Sequence, residues 1–347
     1  MFEEKKSFTK KDKEEILAIV SRASIEFSSQ QREMYTSCNL RLSTGLYFIE
    51  DMGENLDTAI ENANIARKSI KGSTEYCRVY EPRMRSQREL EKQILSEFQS
   101  DLAENRFQVY IQPKFLLDQM EISGGEALVR LKKRDGKLEA PGVFIPILEK
   151  SGYIVELDFY MYEQILIYMK RWKDEGMRLP IISVNFSRCH FEKNGIFKRI
   201  MELTEKYGVE HGFIEIEITE SLFVLGYDMV KAEVQQLRAS GFRVAIDDFG
   251  TGYSSLGMLL DIPADIVKID RSFLLRENRE NEEEFLRNMG CLIRSVKEEV
   301  IFEGIETEEQ REFLVRCGFR YGQGFLFDRP LPVEVFQEKY MKMIENN

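Results

Sequence analysis

Phe242-Arg-Val-Ala-Ile-Asp247-Asp248-Phe249-Gly250-Thr251-Gly252-Tyr-Ser-Ser-Leu256, then Ile266-Val-Lys268-Ile-Asp270-Arg-Ser-Phe273, is the stretch that decides both fold and chemistry. It opens with an apolar, β-branched run of the kind found in buried strands. The strand ends on two adjacent carboxylates, and a loop with two glycines follows. Successive strand residues point to opposite faces, so Asp247 and Asp248 reach one site only where the strand is ending. Carboxylates gathered there are costly unless a cation neutralises them. A hard divalent ion such as Mg²⁺, which prefers oxygen ligands, is the natural candidate. Taken alone, an exposed Asp-Asp turn capping a helix explains the pair equally well.

Outward from that stretch, strand-like runs alternate with helical ones from Phe107 to the end of the chain. The expected strands are Phe107–Pro113, Ile122–Leu131, Ile181–Asn185, Phe213–Thr219, Phe242–Asp247, Ile266–Ile269, Val300–Glu303 and Tyr321–Phe325. Eight strands with intervening helices over residues 106–347 fit an α/β fold, a (β/α)₈ TIM-like barrel. Too few residues separate Pro113 from Ile122 to hold a crossover helix, so the first two strands must form an antiparallel hairpin. A turn near Asp118-Gln119-Met120 sets Gln112 level with Glu126.

Residues 1–85 read as helix (Lys11–Ser29), strand (Thr36–Ile49), helix (Leu56–Ile70) and strand (Glu75–Tyr80), a partial α/β segment with a thin core. Residues 86–105 carry a helical apolar pattern and read as a connecting helix. No Pro/Gly/Ser-rich linker intervenes, so a rigid junction is expected. A length of 347 residues suits one large barrel plus such a smaller piece.

Composition removes whole classes of function. A formal charge of −11 and no dense basic stripe argue against a nucleic-acid polymer as partner. No apolar run approaches a membrane span, and no signal-peptide pattern opens the chain. Cys38, Cys77, Cys189, Cys291 and Cys317 are scattered and form no CxxC, which reads as free thiols in a reducing, cytoplasmic setting. With only His190 and His211, His-rich metal centres are excluded.

The polar residues converge on the strand ends. The second strand carries Glu126 and Arg130, the third ends at Asn185, the fourth at Glu217 and the fifth at Asp247-Asp248. Lys268, Glu303 and Gln323 follow on the last three. Carboxyl ends of barrel strands are where this architecture carries catalysis. No Ser or Cys nucleophile stands beside a histidine, and no Walker or Rossmann glycine cradle follows a strand. An acidic, oxygen-only pocket holding Lys268 and Arg130 remains. Such a pocket fits two divalent ions about 3.5–4 Å apart that share a carboxylate and activate water against a phosphoester. Asp247 is the natural bridging ligand, Lys268 can orient or deprotonate the water, and Arg130 can grip a phosphate through its bidentate fork.

Glu126-Ala127-Leu128-Val129-Arg130 resembles the signature of the EAL family of cyclic di-GMP phosphodiesterases. The resemblance runs from Phe107 to Pro332: Gln112-Pro113, Phe144-Ile-Pro146 with Glu149, Asn185-Phe-Ser187, Glu217-Ile-Thr-Glu220, Asp247 to Leu256, Lys268-Ile-Asp270, Glu303-Gly-Ile-Glu306-Thr, and Gln323-Gly324 with Arg329-Pro330. It implies a barrel with an antiparallel first strand, two Mg²⁺ or Mn²⁺ ions, and hydrolysis of cyclic di-GMP to linear pGpG. It also implies that Glu126, Asn185, Glu217 and Asp247 ligate one metal, with Asp247, Asp248 and Glu303 around the second. Lys268 and Gln323 would hold the attacking water, while Gln112, Leu128 and Arg130 contact substrate. Glu220 would steady the loop after Asp248 and link it to a homodimer interface. Leu131 and Lys114 depart from the pattern, which usually has an aromatic and an aliphatic residue there; neither departure removes a ligand. A non-hydrolysing cyclic di-GMP receptor, signalling through that loop and the dimer interface, is the alternative.

Residues 1–85 resemble the carboxyl-terminal half of a GGDEF domain through Ser43-Thr-Gly45-Leu-Tyr, Ala63-Asn-Ile-Ala-Arg67-Lys and Tyr76-Cys-Arg-Val-Tyr80. The GGDEF signature itself is missing from this chain, so cyclase activity is not expected.

Overall fold

A computed structural model describes residues 8–35, 41–51, 53–193, 196–219, 222–250, 256–274, 282–297 and 299–341. The chain divides into two compact units, Met1–Glu97 and Phe98–Asn347. Among the described residues no helix is long and apolar enough to cross a membrane.

The first unit is small. Helix α1 (Lys10–Met34) starts on a capping box in which Thr9 and Asp12 satisfy each other's backbone N–H groups. Strands β1 (Thr44–Leu46) and β2 (Cys77–Val79) pair in parallel, joined through α2 (Leu56–Ser69). Gly45 explains how closely α2 lies on β1: a Cβ there would sit 1.9 Å from the Ala63 carbonyl oxygen. The core is thin, with Ala59, Ile65, Ala66, Ile70 and Cys77 buried while Ile19, Phe27, Met34 and Ile60 stay exposed. The strand expected over Thr36–Ile49 shrinks to Thr44–Leu46, and its residues 36–40 lie outside the described residues. Helix α3 (Pro82–Ala103) is continuous, and the division between the units falls inside it.

The second unit is built on a closed sheet. β3 (Phe107–Leu116) and β4 (Glu121–Lys132) form an antiparallel hairpin with Gln112 opposite Glu126. The short β5 (Leu138–Glu139) extends the edge of β4. Helices α4 (Pro141–Ser151) and α5 (Ile154–Asp174) lead into β6 (Ile182–Phe186), which runs parallel to β4. Then α6 (Ile196–Tyr207), β7 (Ile214–Thr219), α7 (Phe223–Ala239), β8 (Arg243–Phe249), α8 (Leu256–Asp261) and β9 (Ile266–Ile269) alternate in parallel βα units. After α9 (Glu282–Arg294), β10 (Glu299–Phe302) and α10 (Glu308–Arg316), β11 (Tyr321–Gly322) meets β3 antiparallel and closes the barrel. β12 (Leu331–Pro332) then pairs antiparallel with β3 at Tyr110 and Ile111, and α11 (Val333–Phe336) follows it.

Alternation sorts the two faces of the sheet. Ile182, Val184, Ile216, Ile218, Val244 and Ile246 are buried against the surrounding helices. Inside the barrel, Ala245, Ile266 and Ile301 form an apolar layer with Tyr321 packed against it. The other side of the lumen is polar, holding Lys114, Ser183, Glu215 and Glu217, all buried.

Strand ends differ from the sequence expectation in two places that matter. β8 runs on to Phe249, past Asp247, and its register with β9 shifts between Ile246 and Phe249. β11 stops at Gly322, short of the expected Phe325. There the chain presses on the backbone after β10, since a Cβ on Gly324 would meet Ile305 backbone atoms at 2.1–2.7 Å.

Phe144 on α4 is fully buried, its ring 5.7 Å from that of Phe107 on β3. Phe144→Ala should cost about 3–5 kcal/mol of stability. Chemical denaturation followed by the fluorescence of Trp172, the one tryptophan and itself fully buried, checks this.

Candidate active site

One backbone feature brings the two aspartates together. Asp248 adopts a φ of 57°, a left-handed conformation uncommon outside glycine, at the point where β8 bulges. The bulge breaks the alternation that would send neighbouring side chains to opposite faces. The Asp248 N–H donates to Asp247 Oδ1 at 2.9 Å. Gly250, with φ of 97°, follows against the ring of Phe273, where any Cβ would clash at 2.3 Å.

The centre of the site is Lys268 of β9, fully buried. Its Nζ lies 2.7 Å from Glu217 Oε2, 2.8 Å from Glu303 Oε1, 3.1 Å from Asp247 Oδ1 and 3.2 Å from Glu126 Oε2. An ammonium has three hydrogens to donate, so four carboxylates share three bonds. Asn185 Nδ2 donates to Glu126 Oε1 at 2.8 Å. Gln323 Nε2 donates to Glu126 Oε2 at 2.6 Å and to Glu303 Oε1 at 2.8 Å. Gln323 Oε1 is buried and, among the described residues, has no partner.

Charge on this ring is unbalanced, and the acids respond. Burial pushes Asp247 well above the usual carboxylate range; Lys268 opposes this, and Glu303 and Glu217 add to it. Burial likewise raises Glu303 to about 7 despite Lys268. For Glu217 burial acts in the same direction, but the ammoniums of Lys114 and Lys268 outweigh it and hold the carboxyl low. Burial alone would lower Lys268; the surrounding carboxylates, Asp247 foremost, instead drive its pKa well up.

The donor set suits divalent cations. One oxygen each from Glu126, Glu217 and Asp247 lie within 4.8 Å of one another, and so do oxygens of Asp247, Asp248 and Glu303. The two groups share Asp247. The buried, unpartnered oxygen of Gln323 beside them is a further sign that the ring is built for more than its own side chains.

Other residues expected at the site lie around this ring. Gln112 faces Glu126 across the hairpin and donates to the Asp328 carbonyl at 3.3 Å. With Asp270, Arg271, Glu303, Gln323 and Phe325 it lines a cavity of about 240 Å³ beside the acids. Leu128 and Arg130 share the Glu126 face of β4 but lie further along it, half-buried. The Arg130 guanidinium sits over the Tyr110 ring at 5.7 Å and donates to the Val129 carbonyl, apart from the acid ring. Glu220 and residues 251–255 of the loop lie outside the described residues. Sequence reasoning passed over Glu215, Ser183 and Arg271. The period-two run Ile214-Glu-Ile-Glu-Ile218 was the available signal for Glu215, since it puts Glu215 and Glu217 on one face.

A family model described as EAL domain matches residues 95–330. The chain is similar to the bifunctional diguanylate cyclase/cyclic di-GMP phosphodiesterase MucR of Pseudomonas aeruginosa, 31% identical over 91% of this chain and 46% of MucR. It is also similar to the cyclic di-GMP phosphodiesterase PdeR of Escherichia coli, 29% identical over 94% of this chain and 49% of PdeR. The chain therefore spans less than half the length of these relatives. Among solved structures, the PaMucR phosphodiesterase in complex with c-di-GMP superposes with a TM-score of 0.66 at 33% identity, covering 70% of this chain and 99% of that one. The EAL enzyme Bd1971 in its cAMP and cyclic-di-GMP bound form gives a TM-score of 0.69 at 28% identity, covering 89% and 78%.

Glu303 makes the electrostatics testable. A carboxyl raised from 4.5 to about 7 holds its proton more tightly folded than unfolded. The stability it contributes is present below pH 4.5 and is lost as pH rises through about 7. In EDTA, Glu303→Gln should therefore gain stability relative to wild type between pH 4.5 and 7, with the difference level above that. Denaturant titrations at a series of pH values measure it; a pH-independent difference would contradict the assignment.

Proposed function

The chain belongs to the EAL-domain family, and from that premise we propose that it hydrolyses cyclic di-GMP to linear pGpG with the help of two Mg²⁺ or Mn²⁺ ions. The observation that carries this reading is the complete acid ring gathered on Lys268. Glu126, Asn185, Glu217 and Asp247 would hold one ion, and Asp247, Asp248 and Glu303 the other. When bound, such ions supply Lewis-acid charge to a phosphodiester oxygen and lower the pKa of a coordinated water.

The protein's own groups then have separate tasks. Lys268 holds the attacking water and carries positive charge towards the phosphate oxygens as negative charge develops on them. Gln323 orients the same water through the carbonyl oxygen that has no other partner among the described residues. Glu303, bonded to both Lys268 and Gln323, keeps those two groups aligned on the water. Gln112, Leu128 and Arg130 bind the dinucleotide along β4 and the adjoining cavity. Glu220 steadies the loop after Asp248 and couples the site to a second copy in a cytoplasmic homodimer.

Residues 1–85 are proposed to be a partial GGDEF-like segment, 86–105 a connecting helix and 106–347 the phosphodiesterase. The close seating of Gly45 against Ala63 and Arg67 supports the first part, because it joins two of the resembling stretches.

Purified protein incubated with cyclic di-GMP should form pGpG only when Mg²⁺ or Mn²⁺ is added, as read by chromatography of the products. Glu126→Ala and Asp247→Asn should abolish turnover while keeping the wild-type circular dichroism spectrum. Either variant turning over like wild type would contradict the metal assignment. Tight binding of cyclic di-GMP without cleavage would make the protein a receptor instead.

A further inference from the structure

Beneath the acid ring lies a second lysine that the proposed chemistry does not use. Lys114 of β3 is 5% exposed. Its ammonium donates to Glu215 Oε1 at 2.7 Å, Ser183 Oγ at 2.8 Å and Glu217 Oε1 at 2.9 Å. Three donors meet three acceptors, so the group is fully used and has one geometry. Glu215 Oε2 in turn lies 3.8 Å from Arg243, which pairs with Glu299 at 2.7 Å. Charge thus alternates up the lumen, through Glu299, Arg243, Glu215, Lys114, Glu217 and Lys268. A barrel interior is ordinarily filled by branched apolar side chains. Here an ordered column of ions runs through it.

The column acts on one carboxylate in particular. Glu217 is held at both oxygens, Oε1 by Lys114 and Oε2 by Lys268. Its plane cannot rotate without breaking a buried ion pair, which is strongly unfavourable when one partner is left without compensation. Oε1 is committed to Lys114, and Oε2 is the oxygen that belongs to the ring.

Resting on the functional reading above, we propose that Lys114 is a positioning residue for Glu217. It fixes the carboxylate so that a divalent ion meets one oxygen, and Glu215 with Ser183 holds Lys114 in place. A group that orients a metal ligand in this way typically contributes about 10–100-fold in metal affinity or activity.

Charge and orientation can be separated experimentally. Lys114→Met removes the clamp and leaves Glu215 facing Glu217. The double variant Lys114→Met/Glu215→Gln returns the lumen to its wild-type formal charge but leaves Glu217 Oε1 unheld. Mn²⁺ titrations read by the electron paramagnetic resonance of the free ion measure affinity without reference to turnover. Thermal melts establish that each protein is folded. The double variant should be stable, bind Mn²⁺ about 10–100-fold more weakly than wild type, and lose kcat with KM for cyclic di-GMP unchanged. It carries the comparison even where Lys114→Met alone is too unstable to purify. A double variant with wild-type Mn²⁺ affinity would show that Lys114 only balances charge, and would overturn the proposal. Wild-type protein that binds no Mn²⁺ would overturn this proposal and the functional reading together. Weakened Mn²⁺ binding by the double variant, in a wild-type background that cleaves no cyclic di-GMP, would uphold the role of Lys114 and overturn only the function.

Discussion

The ammonium of Lys268, buried among four carboxylates, is the interaction on which the rest of the structure depends. Moving an ion out of water costs several kcal/mol, and like charges brought together cost more. One lysine cannot balance Glu126, Glu217, Asp247 and Glu303, so part of the imbalance appears as retained protons, with Glu303 raised to about 7 and Asp247 well up. A divalent cation removes the same imbalance without protonation. The charge imbalance of the ring is the feature that would draw a divalent cation to it.

The fold makes that arrangement tolerable. Closure of the barrel leaves the inner face of the sheet no edge, and its apolar layer of Ala245, Ile266 and Ile301 supports the acids without competing for their hydrogen bonds. Opposite that layer, Lys114 brings a second positive charge to the base of the site through three satisfied bonds. At the mouth, the bulge in β8 and the left-handed Asp248 turn a second aspartate toward the cluster. The β8 bulge and the left-handed Asp248 occur beside the acid ring, where polar function competes with packing.

Much of this was legible in the sequence, for definite physical reasons. The parallel strands are short apolar runs between amphipathic helices, a pattern fixed by burial on both faces. The shortness of the link between Pro113 and Ile122 excluded a helix, and β3 and β4 pair antiparallel with Gln112 against Glu126. Acids at strand ends could be collected on one rim because barrel topology brings those ends together. What escaped was contact across the lumen. Lys114 stood out only as an unusual residue, because its partners Glu215 and Glu217 lie 101 and 103 residues away, beyond any local spacing rule. The end of β8 was set too early because a bulge has no hydrophobic signature. The sequence also carried no sign that Arg130 sits over the ring of Tyr110 on the neighbouring strand. In the first unit, a strand expected over fourteen positions became three residues, Thr44–Leu46, among those described. With one partner strand, β-propensity alone does not extend a ladder.

The most direct test is crystallographic. Crystals grown with Mn²⁺ and measured at its absorption edge should show two anomalous peaks, one among Glu126, Glu217 and Asp247 and one among Asp247, Asp248 and Glu303. The Lys268 ammonium should then have given up carboxylate contacts to them. A map with no anomalous peak at the ring, and Lys268 still bonded to all four acids, would contradict the account.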